Sequence, residues 1–112
     1  MFSQQEIDFL DSQLLARVAT ANSRGQPDVV PVGLHRQDER FIIQGHRLSE
    51  TLKYRNIKGG NRQVALVIDD QPSVKPWVVR GIKLHGAAEI IEGSDGEVIR
   101  FTPTRKWTWG LN

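Results

Sequence analysis

Apolar residues recur at helical spacing only near the start of the chain. Ile7, Leu10 and Leu14 form one stripe of this kind, which predicts a short helix that ends by residue 15. Ser3 and Glu6 have the spacing of a capping box, in which each side chain bonds the backbone N–H of the other residue. The pattern therefore predicts a helix that begins just after Ser3.

Beyond residue 15, short apolar runs alternate with clusters of turn-forming residues. The runs predict about six strands, at 15–21, 29–34, 40–45, 64–68, 77–91 and 98–102. The uninterrupted apolar run at 64–68 predicts the most buried of them. Strands joined by tight turns pair antiparallel, and small antiparallel sheets remove their edges by closing into barrels. We therefore expect a mainly β fold with short flanking helices.

Proline, glycine and serine refine this picture. Pro31 inside its strand predicts an edge position or a bulge. Gly81 and Gly86 interrupt a long strand, which indicates a bulge, a barrel corner or the close approach of a ligand or another backbone segment. Ser49 is the expected cap of a second short helix, which residues 58–61, Lys-Gly-Gly-Asn, should end.

Length and composition narrow the function classes. The 112 residues fit a single domain, 1–112, and the absence of cysteine excludes disulfides and thiolate metal sites. Fifteen Lys and Arg against 13 Asp and Glu leave a net charge of +2, with no basic stripe of the kind that binds nucleic acid. No apolar run approaches the ~20 residues of a membrane span, and no signal peptide is readable. We expect a cytoplasmic protein without nucleic-acid or membrane partners.

Arg17 is the first candidate for ligand binding. It lies among small residues in 16–20, Ala-Arg-Val-Ala-Thr, and small side chains leave room for a flat ring against the backbone. An arginine in the same strand can bind a phosphate in bidentate fashion. The alternative is an edge arginine that extends to water.

Lys53 is the second candidate. It follows Ser49 and Thr51 at the start of the predicted second helix, where hydroxyls, an ammonium and free N–H groups form an anion site. The alternative is a solvated lysine on an amphipathic helix.

Arg80 beside Gly81 places a cation next to a point of close approach, although a plain β-bulge explains the pair equally well. Trp107 and Trp109 near the end of the chain must cover the core, a ligand or a neighbouring subunit.

The remaining polar residues do not indicate a particular catalytic or metal-binding site. We interpret Asp69-Asp70 as a strand-end turn, and the three histidines lack the spacing of metal ligands. The sequence contains no P-loop, dinucleotide fingerprint or nucleophile elbow. No metal is expected, and the catalytic residues stay unassigned.

Taken in order, these segments resemble the pyridoxamine 5'-phosphate oxidase-like split-barrel family, and within it the short branch of coenzyme F420-dependent reductases. The resemblance spans nearly the whole chain and is carried by segments 16–20, 25–27, 31–32, 52–57, 64–70, 77–82, 86–89, 100–105 and 109–110.

The resemblance implies a split antiparallel β-barrel that forms a homodimer with two cofactor sites at its interface. It implies F420, or alternatively FMN, as the cofactor of an oxidoreductase that transfers hydride to or from a small organic substrate. The alternative is a non-catalytic protein that binds flavin, F420 or haem on the same fold. A barrel for single-stranded nucleic acid is disfavoured because no basic, aromatic-lined strand face is visible. The residues expected at the cofactor are Arg17, Val18, Ala19, Thr20, Pro31, Thr51, Leu52, Lys53, Arg80, Gly81 and Trp109, the last reaching the site of the partner chain.

This chain departs from the family pattern in two connections, at 46–47 and 92–97. Both are shorter than expected and border the expected cofactor cleft. F420 also carries an acidic tail that needs further cations, for which Arg55 and Lys58 are candidates.

Overall fold

A computed structural model describes residues 1–111. The elements in chain order are α1 (Gln4–Asp11), β1 (Leu15–Ala21), β2 (Pro27–Gly33), β3 (Arg36–Gln37), β4 (Arg40–Ile43), a 3-10 turn (Leu48–Glu50), α2 (Leu52–Lys58), β5 (Gln63–Ser73), β6 (Val78–Gly93) and β7 (Gly96–Trp109). The seven strands, one more than predicted, form one antiparallel sheet in the order β2-β1-β5-β6-β7-β4-β3, and the predicted mainly β class is confirmed. No helix within these residues is both long and apolar enough to cross a membrane.

The last three strands are longer than the sequence predicts. β7 continues to Trp109 and pairs with β6 from Gly93 back to Gly81. Residues 103–109, which the sequence predicted as a tail beyond the last strand at 98–102, are therefore part of the sheet. β5 likewise runs through Asp69-Asp70, which we expected to form a turn. The three strands extend beyond their predicted ends because pairing with each other satisfies the backbone N–H and C=O groups of all three segments.

The hydrophobic core lies on one side of the central strands. Because successive strand residues point to opposite faces, every second side chain is buried. Phe41 and Phe101 are among the largest fully buried side chains, and Phe9, Leu10 and Ile57 attach the two helices. The buried residues of the central strands are Ala16, Val18 and Thr20 in β1, Val64, Leu66 and Ile68 in β5, and Ile82, Leu84 and Ala88 in β6.

The helix boundaries partly confirm the predictions. Ser3 and Glu6 form both halves of the capping box. The predicted position of Leu14 was wrong: α1 ends at Asp11, and the Leu14 side chain is 85% exposed. Thr51, not Ser49, caps α2 by accepting a hydrogen bond from the backbone N–H of Tyr54 (3.3 Å).

The outer face of the sheet is formed by the residues that alternate with the core. Strand register places two rows of side chains across five strands on this face. β2 forms one edge of the sheet, as Pro31 predicted. The first row is Pro31, Arg17, Val67, Lys83 and Trp107, and the second is Val29, Ala19, Ala65, His85 and Arg105.

A partly buried ion pair holds α1 on the sheet. The Glu6 carboxylate accepts hydrogen bonds from Lys106 Nζ (2.5 Å) and from the Ser3 backbone N–H (2.8 Å). Burial raises the pKa of Glu6, but the hydrogen bonds from Lys106 and Ser3 outweigh this effect and hold the pKa below its usual 4.5. A carboxyl with a lowered pKa stabilises the fold above its unfolded-state pKa, and this stability is lost as pH falls through the folded-state value.

We therefore expect Glu6→Gln to lower the free energy of unfolding at pH 7 by about 1.5 kcal/mol, the lower range for a hydrogen bond to a charged group. The loss should shrink as the pH falls below the usual pKa of 4.5 and through the lower folded-state pKa, because Glu6 then becomes protonated in the folded state as well. Urea unfolding at pH 7 and across this acidic range measures it. Glu50→Gln, which breaks an exposed pair with Arg47, is the control and should cost under about 1 kcal/mol. Equal losses for the two variants would contradict the assignment.

Candidate cofactor site

A groove of about 470 Å³ opens where the outer face meets the end of β1. Small residues, among them Ala19, Ala65 and Gly86, form part of its lining. Ala19 and Ala65 are directly opposite each other across β1 and β5. The groove is lined by Ala19, Thr20, Ala21, Pro27, Gln63, Val64, Ala65, His85, Gly86 and Thr104. Ala19 and Thr20, where small side chains were expected to leave room for a flat ring, thus border a cavity large enough for part of a flat ligand.

Two asparagines tie α2 to this end of β1. Asn56 Nδ2 donates to the hydroxyl of buried Thr20 (2.9 Å), and Asn61 Nδ2 donates to the carbonyl of Ala21 (2.9 Å). The predicted site did not include either asparagine. The sequence placed Asn61 only in the turn that ends the second helix. It does not show which strand the Asn61 side chain contacts.

Lys53 lies at the same end of β1. Burial lowers the pKa of its ammonium, and the nearby Asp28 carboxylate partly opposes that shift. Asp28 is paired with Thr20 across β1 and β2. Within residues 1–111, Lys53 forms neither a hydrogen bond nor an ion pair. A half-buried cation without a bonded carboxylate suits an anionic ligand group, whereas a fully solvated lysine would show no such burial.

Thr51 and Leu52 are the other two residues near α2 that were expected to contact the cofactor. The Thr51 hydroxyl accepts from the Tyr54 backbone N–H and donates to the carbonyl of Leu48 (2.6 Å), so it serves as a cap. Leu52 is 53% exposed. Their contacts with a cofactor stay a prediction.

Arg17 and Lys53 do not converge within one protomer. Arg17 extends along the outer face and donates to Asp69 Oδ1 (2.8 Å), away from the end of β1 that α2 covers. Three residues of strand, about 10 Å, separate Arg17 from Thr20. Pro31 lies opposite Arg17 on β2, while Val18 is buried in the core. The expected joint contact of Arg17 and Lys53 with one phosphate therefore stays a prediction.

Arg80, Gly81 and Trp109 form a separate group. The Arg80 guanidinium makes two hydrogen bonds to Asp70 (2.9 and 2.5 Å) and lies 5.1 Å from the Phe9 ring centre. A side chain on Gly81 would overlap the Trp109 indole. The close approach predicted at Gly81 is present, and the approaching group is a tryptophan of the same chain.

A second cavity, of about 620 Å³, lies beside the connections at 46–47 and 92–97. Residues 44–46 and 91–95 line most of it, together with Glu97. The Glu97 carboxylate accepts from the Tyr54 hydroxyl (2.7 Å) and pairs with Lys58 (3.9 Å). Arg55 donates to the carbonyl of Glu50 (3.0 Å). Lys58 and Arg55, the predicted cations for an acidic tail, thus already have partners.

The described part of the chain, 1–111, contains no group of three metal-ligating side chains.

Residues 2–107 match the sequence profile described as pyridoxamine 5'-phosphate oxidase. The chain belongs to this family. The resemblance deduced from the ordered segments is thereby confirmed.

Individual relatives extend the comparison. The chain is 36% identical over 120 residues to the 5a,11a-dehydrotetracycline/5a,11a-dehydrooxytetracycline reductase of Streptomyces rimosus, a match covering 98% of this chain and 84% of the relative. The crystal structure of the conserved hypothetical protein Rv2991 from Mycobacterium tuberculosis superimposes with a TM-score of 0.81 at 18% identity, covering 100% of this chain and 87% of the other. An F420 reductase superimposes with a TM-score of 0.71 at 22% identity, covering 89% and 94%. The two structures show that the fold is shared.

We expect Gly81→Ala to displace the Trp109 indole, because a Cβ atom has no room beneath it. The cost in stability should be about 1 kcal/mol, the lower end for overpacking, since Trp109 is 36% exposed and free to move outward. Acrylamide quenching in a background with Trp77→Phe and Trp107→Phe reports on Trp109 alone and should increase. Gly45→Ala is the control, because its Cβ would make only an ordinary contact with Leu48. Unchanged quenching in Gly81→Ala would refute the packing.

Proposed function

We propose that this protein is a cytoplasmic oxidoreductase that reduces a small, electron-poor organic substrate with coenzyme F420, FMN being the alternative cofactor. Membership of the pyridoxamine 5'-phosphate oxidase family and 36% identity to a reductase over 98% of the chain support flavin-type redox chemistry. The observation that carries the proposal is the groove beside Ala19 and Ala65 together with half-buried Lys53. Lys53 does not line the groove, but it lies near the same end of β1 and forms no ion pair within residues 1–111.

In this proposal the cofactor ring lies on the small residues of β1 and β5. Ala19 and Ala65 would let a planar group approach the sheet closely, and His85, directly opposite Ala65 on β6, lines the same groove together with Thr104. The phosphate lies toward Lys53, because α2 is fixed at this end of β1 by Asn56. Charge-assisted hydrogen bonds from an ammonium to a phosphate are the strong kind.

The chain's own contribution is binding and orientation. When bound, the cofactor supplies the hydride chemistry. The groove lining would shield a bound cofactor from water, and Lys53 would hold its phosphate. The side chain of buried Thr20 is fixed by Asn56, so it keeps the wall rigid. We assign no proton donor to this reaction.

We further propose a homodimer in which the outer face contacts a second copy. Leu15 and Val29 are large apolar side chains on this side of the sheet, 52% and 65% exposed, and a partner that covers them would remove this apolar area from water. In such a dimer, Trp109 or Arg17 of one protomer would contact the cofactor bound to the other protomer. This accounts for Arg17 and Lys53 lying apart in one chain.

We expect Lys53→Gln to weaken binding of F420 or FMN by about 1.5–3 kcal/mol, the range for a hydrogen bond to a charged group. Titration of the cofactor-free protein, followed by tryptophan quenching, gives the dissociation constants. Lys75→Gln, at an exposed position in the β5–β6 loop, is the matched control and should change nothing. Equal affinity in Lys53→Gln and the parent protein would remove Lys53 from the phosphate site. Saturable binding of neither cofactor would refute the proposed function.

A second expected outcome concerns assembly. Val29→Glu should convert a dimer at micromolar concentration into a monomer, because it places a charge in the proposed contact. Val74→Glu is the control: Val74 is also 65% exposed but lies beyond β5, away from the two rows of the outer face. Sedimentation velocity distinguishes the two states. A parent protein that sediments as a monomer, or a Val29→Glu variant that stays dimeric, would exclude this interface.

A further inference from the structure

Two cations of the outer face lie over one indole ring. Lys83 Nζ is 4.4 Å and Arg105 Cζ 4.6 Å from the Trp107 ring centre. The His85 imidazole meets the same indole edge-on, with 4.6 Å between ring centres. Strand register explains the cluster, since Lys83 pairs with Trp107 and His85 pairs with Arg105 across β6 and β7. We call Lys83, His85, Arg105 and Trp107 the indole cluster.

The positive charge of the indole cluster is not balanced by a neighbouring carboxylate. Within the described residues, neither Lys83 nor Arg105 forms an ion pair, whereas Arg80 and Arg100 on the same two strands bond to Asp70 and Glu89. The two cations are at most about 9 Å apart, given their distances to one ring centre. That separation is within the screening length of about 10 Å at 0.1 M salt, so they repel each other until an anion lies between them.

The indole cluster is continuous with the groove. His85 lines the groove and is directly opposite Ala65 on β5, which is opposite Ala19 on β1. Neighbouring strands lie about 4.8 Å apart, so the cluster begins about 10 Å from β1 on the same face. A ligand on the alanine floor therefore reaches the cations with one acidic substituent.

We propose that Lys83 and Arg105, positioned by Trp107, bind a carboxylate or phosphate group of the ligand that occupies the groove. Arginine and lysine together suit such anions, and the indole holds both cations in place at little cost in mobility. The acidic group belongs either to the cofactor's tail or to an acidic substrate. The proposal takes its location from the proposed function, but the anion site itself is independent of it.

This corrects one expectation from the sequence. We expected no strand face that joins aromatic and basic side chains, and Lys83, Trp107 and Arg105 form a small one. The expectation was wrong because residues 103–109 were assigned to a tail, whereas β7 carries them alongside β6.

The test begins with the cofactor-free protein and a simple polycarboxylate. A background with Trp77→Phe and Trp109→Phe leaves Trp107 as the reporter, and triglutamate is titrated by fluorescence. We expect Lys83→Gln with Arg105→Gln to raise the dissociation constant at least about tenfold, as expected for lost charged hydrogen bonds. The control, Lys75→Gln with Arg24→Gln, removes two exposed cations from loops and should change it less than about twofold. Urea midpoints verify that both double variants fold.

Cofactor titrations then identify the source of the anion. If the cofactor tail occupies the site, the double variant weakens F420 at least about tenfold and leaves FMN, which has no tail, unchanged. If an acidic substrate occupies it, both cofactors bind normally and triglutamate binding in their presence is weakened. Loss of triglutamate affinity in a protein that binds neither cofactor would support the anion site while refuting the proposed function. Unchanged triglutamate binding, or cluster-dependent binding of single-stranded nucleic acid alone, would overturn the proposal.

Discussion

The pairing of β6 with β7 along almost their whole lengths is the constraint on which the candidate site depends. It runs from Gly93 to Gly81 and includes one bulge after His85. At that point Gly86 is required, since a side chain there would overlap the Thr102 carbonyl. The bulge keeps the register in which Trp107 lies beside Lys83 and Trp109 covers Gly81. Any shift of one residue would move these side chains to the core face.

β1 presents one face to the hydrophobic core and the other to the candidate ligand groove. Val18 and Thr20 point into the core while Ala19 and Arg17 point outward, as the alternation of strand residues demands. The small size of Ala19 makes the groove, and the hydroxyl of Thr20 lets Asn56 fix α2 beside it. One strand therefore sets both the floor of the site and the position of Lys53.

Local signals predicted local features. The capping box at Ser3, the glycine stop of α2 and the edge position of Pro31 each depend on neighbouring residues, and the structure agrees with all three. Features that depend on distant partners were missed. The continuation of β7 follows from the length of β6. The carboxylate partners of Arg17 and Arg80 lie on the neighbouring strand, 52 and 10 residues away in the sequence. Sequence spacing carries no information on which cation meets which carboxylate.

The candidate cations differ in how easily a ligand recruits them. Arg80 makes a two-pronged bond to Asp70, and both side chains are about two-thirds or more covered, so breaking that pair leaves a poorly solvated carboxylate. Arg17 and Asp69 are both more than 40% exposed, and an exposed pair is worth at most about 1 kcal/mol. A phosphate can therefore displace Asp69 from Arg17 at small cost. Lys83 and Arg105 form no ion pair within residues 1–111, so they need no displacement and are the first anchors that an anionic ligand meets on the outer face. Lys53 likewise needs no displacement, but it lies beside the end of β1 that α2 covers.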